Sequence, residues 1–276
     1  MLPVPLNRGN DVEVGFRGET HPALAEQSLE LKATCSAVGK GRGFKNGYFP
    51  EQFRGPFDRF SVQKPYQKYN AHDLSVFFPI EFKQPGQIWE IEKNRLTKFF
   101  KQFHSGASME LAAPGRRAGP NGAFGVLRAV SDTHYDVLLR VHAEFVLAEG
   151  MYLTPAYYEG RMLINRKEKR VDSFTLAIPT EMSLNVTLTA VLPEEALIDI
   201  IHLDRMELAG GKPDAFMQPW PKEIALSTAR MKLKKTFYKF LDIQWVKPEN
   251  ALAEAKKQNR PILAVVMWGD LDDQSC

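Results

Sequence analysis

The chain has 276 residues, 44% hydrophobic and 25% charged, and its 36 Lys and Arg against 33 Asp and Glu leave a formal charge of +3. This excludes collagen, a disulfide scaffold and a wholly disordered chain, and so small a charge argues against nucleic acid as a partner. Two cysteines, Cys35 and Cys276, exclude a Cys-rich zinc site and allow one internal disulfide at most.

Met1-Leu2-Pro3-Val4-Pro5 has neither the basic nor the apolar region of a signal peptide. The longest strongly apolar run, residues 262–268, falls far short of the ~20 residues that span a bilayer. The expectation for residues 1–123 is an irregular region packed on the core. Within it, Ser28–Cys35 alternates with period two and predicts a strand with Cys35 on its apolar face. The glycines and lysines of residues 39–47 suggest a phosphate loop but lack its Gly-Lys-Ser/Thr ending, so a solvated loop is expected. Residues 49–88 interleave Phe, Tyr and Pro with Arg and Lys. They read as irregular chain held by aromatic anchors, in preference to a single-strand stacking surface. Ile91, Leu96, Phe99, Phe100 and Phe103 predict a helix over 92–104, and residues 113–122 predict a loop.

A β-rich domain is expected over 124–206. One long strand over 134–148 is predicted, with Tyr135, Val137, Leu139, Val141, Ala143, Phe145 and Leu147 on its apolar face. Asp136, Arg140, His142 and Glu144 then form the opposite row, expected to face solvent, although His142 with Glu144 also fits an acid/base pair. Further strands are predicted over 161–165, 174–178 and 184–188. Asn185-Val186-Thr187 is a glycosylation sequon, and the alternation of the last strand points Asn185 outward.

Residues 207–244 read as a connecting segment. Residues 221–260 hold ten Lys and Arg against four Asp and Glu, which fits a solvated helical face or a contact with membrane or partner. From Lys247 the punctuation is that of a helix: Pro248 and Glu249 suit its first turn, Lys256 and Lys257 its last, and Pro261 ends it. Residues 262–267 are six apolar residues without alternation, which predicts a strand buried on both faces of an α/β sheet. The polar turn Asp270-Leu271-Asp272-Asp273-Gln274-Ser275 then leads to Cys276. Helix, buried strand, Trp268, loop and cysteine follow the opening of a thioredoxin-like redox unit, where a helix start favours thiolate over thiol. Here the neighbouring carboxylates should raise the thiol pKa instead. The same carboxylates could suit a divalent cation, but acidic loop residues are the preferred reading and no metal site is expected. The fold class expected is α+β: a β-rich central domain followed, over 245–276, by the first helix and strand of an incomplete thioredoxin-like domain.

Trp268-Gly269-Asp270-Leu271-Asp272-Asp273-Gln274-Ser275-Cys276 resembles the active-site signature of the selenoprotein N family, in which Ser-Cys is followed by selenocysteine and Gly. The segments around Val130-Ser131-Asp132, Arg140-Val141-His142-Ala143-Glu144-Phe145, Leu153-Thr154-Pro155, Tyr158 to Gly160, Pro179 with 183–186, and Arg205-Met206-Glu207-Leu208 resemble the same family. The resemblance covers residues 125–276 well and the earlier part loosely. It implies a thiol/selenol oxidoreductase of the endoplasmic reticulum linked to calcium handling and muscle maintenance. Cys276 would be the resolving partner of a selenocysteine at position 277, and a UGA codon read as stop would explain the last residue. Trp268, Gly269, Asp272, Asp273, Gln274 and Ser275 are the motif residues implied, and Asn185 is the glycosylation candidate. The partners implied are the reticulum calcium pump or other membrane calcium-handling proteins. Calcium itself is implied only for members with an upstream EF-hand, a loop not found in this chain. Without its second redox residue the 276-residue chain is expected to be inactive. The alternative is a non-catalytic adaptor whose β-rich domain docks on a reticulum membrane partner.

Overall fold

The computed structural model describes residues 13–14, 21–44, 49–114, 120–266 and 271–272. After β1 (Glu13–Val14), strand β2 (Ser28–Cys35) has the predicted bounds: Leu31 and Ala33 are buried, and Cys35 packs against the core. Residues 49–88 are more regular than expected, with helix α1 (Glu51–Asp58), strand β3 (Tyr66–Asn70), the single turn α2 (Ala71–Leu74) and strand β4 (Ile88–Glu90). Local chemistry sets one of these boundaries. The Asn70 side chain accepts from the Asp73 N–H while the Asp73 carboxylate accepts from the Asn70 N–H, a capping box that starts α2. The aromatic anchors behave as predicted, since Phe49, Phe57, Tyr69, Phe77 and Phe78 are fully buried, whereas Tyr66 is exposed. Helix α3 (Lys93–Phe100) lies within the predicted span and buries Leu96, Phe99 and Phe100, with Phe99 stacked on Tyr69 at 4.2 Å between ring centroids.

After β5 (Ala107–Ser108) come β6 (Ala123–Val130), β7 (His134–Val141), β8 (Glu144–Ala148), β9 (Met151–Pro155), β10 (Tyr158–Asn165), β11 (Arg170–Ala177), β12 (Val186–Val191), β13 (Ala196–Ile201), β14 (Met206–Gly211) and β15 (Lys222–Glu223). Helices α4 (Leu226–Phe237) and α5 (Pro248–Gln258) follow. Among the described residues the strands form a ten-stranded sheet, in the order β1-β4-β6-β7-β10-β11-β14-β2-β3 with β15 on β6, and a five-stranded sheet, β13-β12-β9-β8-β5. Apart from the parallel pair β1–β4, every pairing is antiparallel. Strands from before residue 124 and after residue 206 therefore share one sheet with the central strands. Gly125 lies beneath the Trp89 indole, where a Cβ would stand 2.5 Å from the ring, so only a glycine lets the two strands pair there.

The α+β class holds, but four local expectations are corrected. The long strand over 134–148 is two strands: the backbone breaks at His142 and Ala143, and the chain passes from the larger sheet (β7) to the smaller (β8). The polar row does not face solvent, because Asp136, Arg140, His142 and Glu144 are all buried. The outer face of β7 is covered by α4, whose Ala229 and Leu233 pack with Leu138 and Val126. Asn185 is not outward either. It is fully buried, its Nδ2 donating to the carbonyls of Pro179 (2.7 Å) and Leu203 (3.0 Å) while its Oδ1 accepts from the Leu203 N–H (2.8 Å). These bonds close the turn before β12 onto the chain after β13, so the folded state has no room for a glycan on that nitrogen.

The fourth correction concerns the end of the chain. Helix α5 forms where predicted, started by Pro248 and ended by Asn259 in the left-handed region (φ 48°), but it buries no residue. Residues 262–266 belong to no strand and are exposed, Leu263 by 79% and Val266 by 91%. A strand buried on both faces needs neighbours to pair with and layers to cover it. Among the described residues neither sheet includes residues 262–266. The start of a thioredoxin-like domain is therefore not seen in the described residues.

Candidate functional site

Helix α4 carries apolar residues at Leu226, Ala229 and Leu233, a spacing that makes one sticky stripe, and it lays that stripe over β6 and β7. The next residues of the stripe are aromatic. Phe237 packs edge-on against Phe124 (5.1 Å) and against the His142 ring (4.5 Å). The polar residues of α4 flank the stripe: Arg230 pairs with Glu159 of β10 at 2.6 Å, and Lys234 lies one turn further along the helix. Register fixes the rest, since Arg140 on β7 lies opposite Glu159 and one strand position from Leu139, which faces the main core.

Arg140 is the centre of this site. Its guanidinium lies 3.9 Å from the centroid of the Tyr157 ring, with Phe237 at 5.2 Å and Tyr238 at 5.8 Å, a partial aromatic cage. Its Nε donates to His142 Nε2 at 3.4 Å. The two terminal nitrogens fork onto the Asp272 carboxylate, Nη2 to Oδ1 at 2.6 Å and Nη1 to Oδ2 at 3.3 Å. Lys234 Nζ reaches Asp272 Oδ2 at 3.1 Å, and the Tyr238 hydroxyl donates to the Leu271 carbonyl at 3.0 Å. Burial alone would raise the Asp272 carboxyl, but the hydrogen bonds and charge of Arg140, aided by Lys234, outweigh it and hold the pKa below the ordinary value. A bidentate arginine with both oxygens engaged is the geometry that makes such a pair strong. Beside it a cleft of about 260 Å³ opens between Tyr157, Ser227, Arg230 and Met231.

Of the motif residues expected from the sequence, Asp272 is thus seated, whereas Trp268, Gly269, Asp273, Gln274, Ser275 and Cys276 lie outside the described residues. The carboxylate of Asp272 is committed to two cations, and among the described residues no group of three His, Cys, Asp or Glu could hold a metal ion. His142 and Glu144 are set apart by the strand break. His142 joins the aromatic cage, while Glu144 accepts from the Ala112 N–H (2.9 Å), the Ala113 N–H (3.3 Å) and the Thr154 hydroxyl (2.9 Å). Cys35 is a half-buried thiol whose pKa burial pushes up to about 12. Sequence reading placed Arg140 in the polar row and counted Lys234 among the basic residues of 221–260, but joined neither to Asp272. The signal available was the stripe Leu226, Ala229, Leu233, Phe237, whose helical spacing predicts a covering layer for one sheet face.

Fold and site together define a class: a two-sheet antiparallel α+β protein that seats a carboxylate of its cysteine-bearing segment on a caged arginine. Three curated proteins named selenoprotein N are similar to this chain over 194 residues. The one from Danio rerio is 27% identical, covering 58% of this chain and 35% of that protein. That from Homo sapiens is 28% identical (58% and 33%), and that from Mus musculus 26% identical (58% and 35%). The resemblance to the selenoprotein N family is borne out. This chain spans about a third of the length of the curated relatives it matches. No family model matches the chain, and no solved structure matches it. No helix among the described residues is long and apolar enough to cross a membrane.

Proposed function

We propose that this chain is part of a thiol/selenol oxidoreductase of the selenoprotein N type, acting in the endoplasmic reticulum in connection with calcium handling. In this reading a selenolate following Cys276 attacks one sulfur of a substrate disulfide and releases the other as thiolate. The Cys276 thiolate then attacks the selenium, freeing the second substrate sulfur and closing a selenenylsulfide. Two electrons pass to the substrate, and an external dithiol returns them to the pair. The observation that supports the reading best is the seating of Asp272: the one described carboxylate of the signature is bound by Arg140 and Lys234 on the folded sheet. An acidic loop weighs less against a resolving thiol than against the first nucleophile, since the first attack in this scheme is made by the selenolate and the resolving thiol need not be the more acidic group.

Sequencing the transcript beyond the Cys276 codon tests the proposal. A UGA codon is expected; UAA or UAG would overturn it. In the natural protein, alkylation at mildly acidic pH should label the selenolate while leaving ordinary thiols intact, and a protein that takes up no label under those conditions is not this enzyme.

A further inference from the structure

The turn between β6 and β7 carries a row of polar side chains that the turn itself does not need. It is closed by the Ser131 N–H on the His134 carbonyl (2.9 Å) and by Ser131 Oγ, which accepts from the N–H groups of Thr133 (3.3 Å) and His134 (3.0 Å). The Thr133 hydroxyl and the His134 ring are left over from that closure and form a chain of their own. His134 Nε2 lies 3.1 Å from Asp172 Oδ2 on β11, and His134 Nδ1 lies 2.8 Å from Thr133 Oγ1. Asn165 Nδ2 donates to the same carboxylate oxygen (3.1 Å) and Arg170 Nε to the other (2.7 Å). Burial alone would raise the Asp172 carboxyl, but the hydrogen bonds of Arg170, His134 and Asn165 outweigh it and hold it below its ordinary range. An ionised carboxylate only accepts, so the proton of the neutral imidazole sits on Nε2, and Nδ1 is left as an acceptor. Ser131 Oγ, which already accepts twice, stands 3.3 Å from Thr133 Oγ1 and donates to it, which turns the Thr133 O–H toward that nitrogen.

Thr133 and Ser131 line a cavity of about 390 Å³ together with Gln218, Trp220 and the prolines on either side of it, Pro219 and Pro221. The same wall contains a donor with nothing to donate to, the buried Trp220 Nε1. Hydroxyl, imidazole and carboxylate in hydrogen-bonded series, with the hydroxyl on a cavity, is the arrangement that activates an oxygen nucleophile. We propose that Thr133, His134 and Asp172 form an acyl-transfer site that hydrolyses esters, at the opposite end of β7 from Arg140 and independent of the oxidoreductase reading. Thr133 Oγ1 attacks the ester carbonyl carbon while its proton passes to His134 Nδ1. The bond to the leaving alkoxide breaks, that oxygen takes the proton from Nδ1, and an acyl-threonine remains. Water then attacks the acyl carbon, giving its proton to the same nitrogen, and the carboxylic acid leaves as Thr133 recovers that proton. Trp220 Nε1 is the unspent donor for the carbonyl oxygen as charge builds on it. Thr133 and His134 are the catalytic residues, and Asp172 is a positioning residue that holds the ring in its tautomer. The apolar wall of Trp220 and the two prolines suits an ester with a flat apolar part, such as an aryl acetate.

p-Nitrophenyl acetate turnover by the full chain, with mass spectrometry of the acid-quenched protein, tests the proposal. Saturable turnover is expected, with an acetyl group trapped on Thr133, and a fluorophosphonate should label the same residue. Thr133→Val has nearly the same shape and leaves the Ser131 closure of the turn in place, so it serves as the reference for acetyl transfer to surface lysines. It should remove the saturable turnover. His134→Ala should slow turnover by about a hundredfold or more and regain part of it in added imidazole, which restoring a merely structural contact would not do. Asp172→Asn should lower kcat and leave KM unchanged. A parent protein with no acetyl or phosphonyl group on Thr133, or turnover unchanged in Thr133→Val, would overturn the proposal, and so would a label on Ser131 in place of Thr133.

Discussion

Replacing Asp136 by asparagine, one oxygen exchanged for a nitrogen, should be strongly destabilising. Asp136 is fully buried between two arginines, with Arg128 Nε on one oxygen and the Arg161 fork on both, at 3.0 and 2.7 Å. Arg128 has one further anion, the half-exposed Glu223 on β15, and both guanidiniums are roofed by aromatic rings, Trp220 at 5.3 Å and Phe216 at 4.4 Å. The asparagine side chain has the same volume, so no cavity forms. What changes is that a −1 charge disappears and an amide N–H₂ points at guanidinium donors. Removing one partner of a buried ion pair costs about 3–5 kcal/mol, because the charge left behind cannot return to water. For a chain of 276 residues the unfolding entropy is roughly 0.6 kcal/mol per kelvin, so a loss near 4 kcal/mol lowers Tm by about 7 °C. Urea unfolding followed by circular dichroism measures the loss directly, provided the slope with denaturant stays constant. The more exposed Arg161 serves as the control: Arg161→Met should cost distinctly less. A loss below about 1 kcal/mol for Asp136→Asn would show that water reaches these arginines, and the argument from burial would be wrong.

The remaining predictions concern the other buried polar groups and the seat. Asn185→Ala should destabilise by about 2–4 kcal/mol, since the Leu203 N–H and the Pro179 carbonyl lose their partners, and mass spectrometry of chain expressed in a secretory pathway should find Asn185 unmodified. A glycan on folded, fully active protein would contradict the burial. Cys35, its thiol pushed up to about 12, should resist iodoacetamide at neutral pH until the chain unfolds; labelling at the rate of a free thiol would refute this. The Asp272 carboxyl is held below its ordinary 3.8, so its docking energy is fully present above that pH and is lost only as pH falls through the lowered value. The Asp272 contact should therefore persist through the mildly acidic range and be released only below it, read from the chemical shift of the Asp272 carboxyl; release near pH 6 would mean that another group controls the contact.

Much of the fold was legible because burial imposes period two on strands and 3.6 on helices. β2 and α3 stand where the periodicity put them, and the helix begun by Pro248, which buries nothing, stands where its end signals put it. The break at His142 was illegible for the same reason. Val137, Leu139, Val141, Ala143 and Phe145 all enter one core, so the alternation runs unbroken while the chain changes sheets. Period also cannot separate a face turned to water from one covered by a second layer. Asp136 and Arg140 look like solvent residues until partners distant in sequence, Arg128, Arg161 and Asp272, are brought to them. The reverse error befell residues 262–266, where an apolar run was taken to be its own proof of burial.

The excursion between Tyr238 and Leu271 can be regarded as a polymer ring. It leaves the body at the end of α4 and is closed again by the Tyr238–Leu271 hydrogen bond and the Asp272 ion pairs. Were it flexible throughout, closing a ring of 33 residues would cost about 3 kcal/mol in chain entropy before any constant term, and doubling its length would add only ~0.6 kcal/mol; helix α5 within it lowers that cost. The closure is thus far more sensitive to the chemistry of its clasp than to how many residues it encircles. Insertions around α5 should be tolerated where one methylene removed from the clasp would not be.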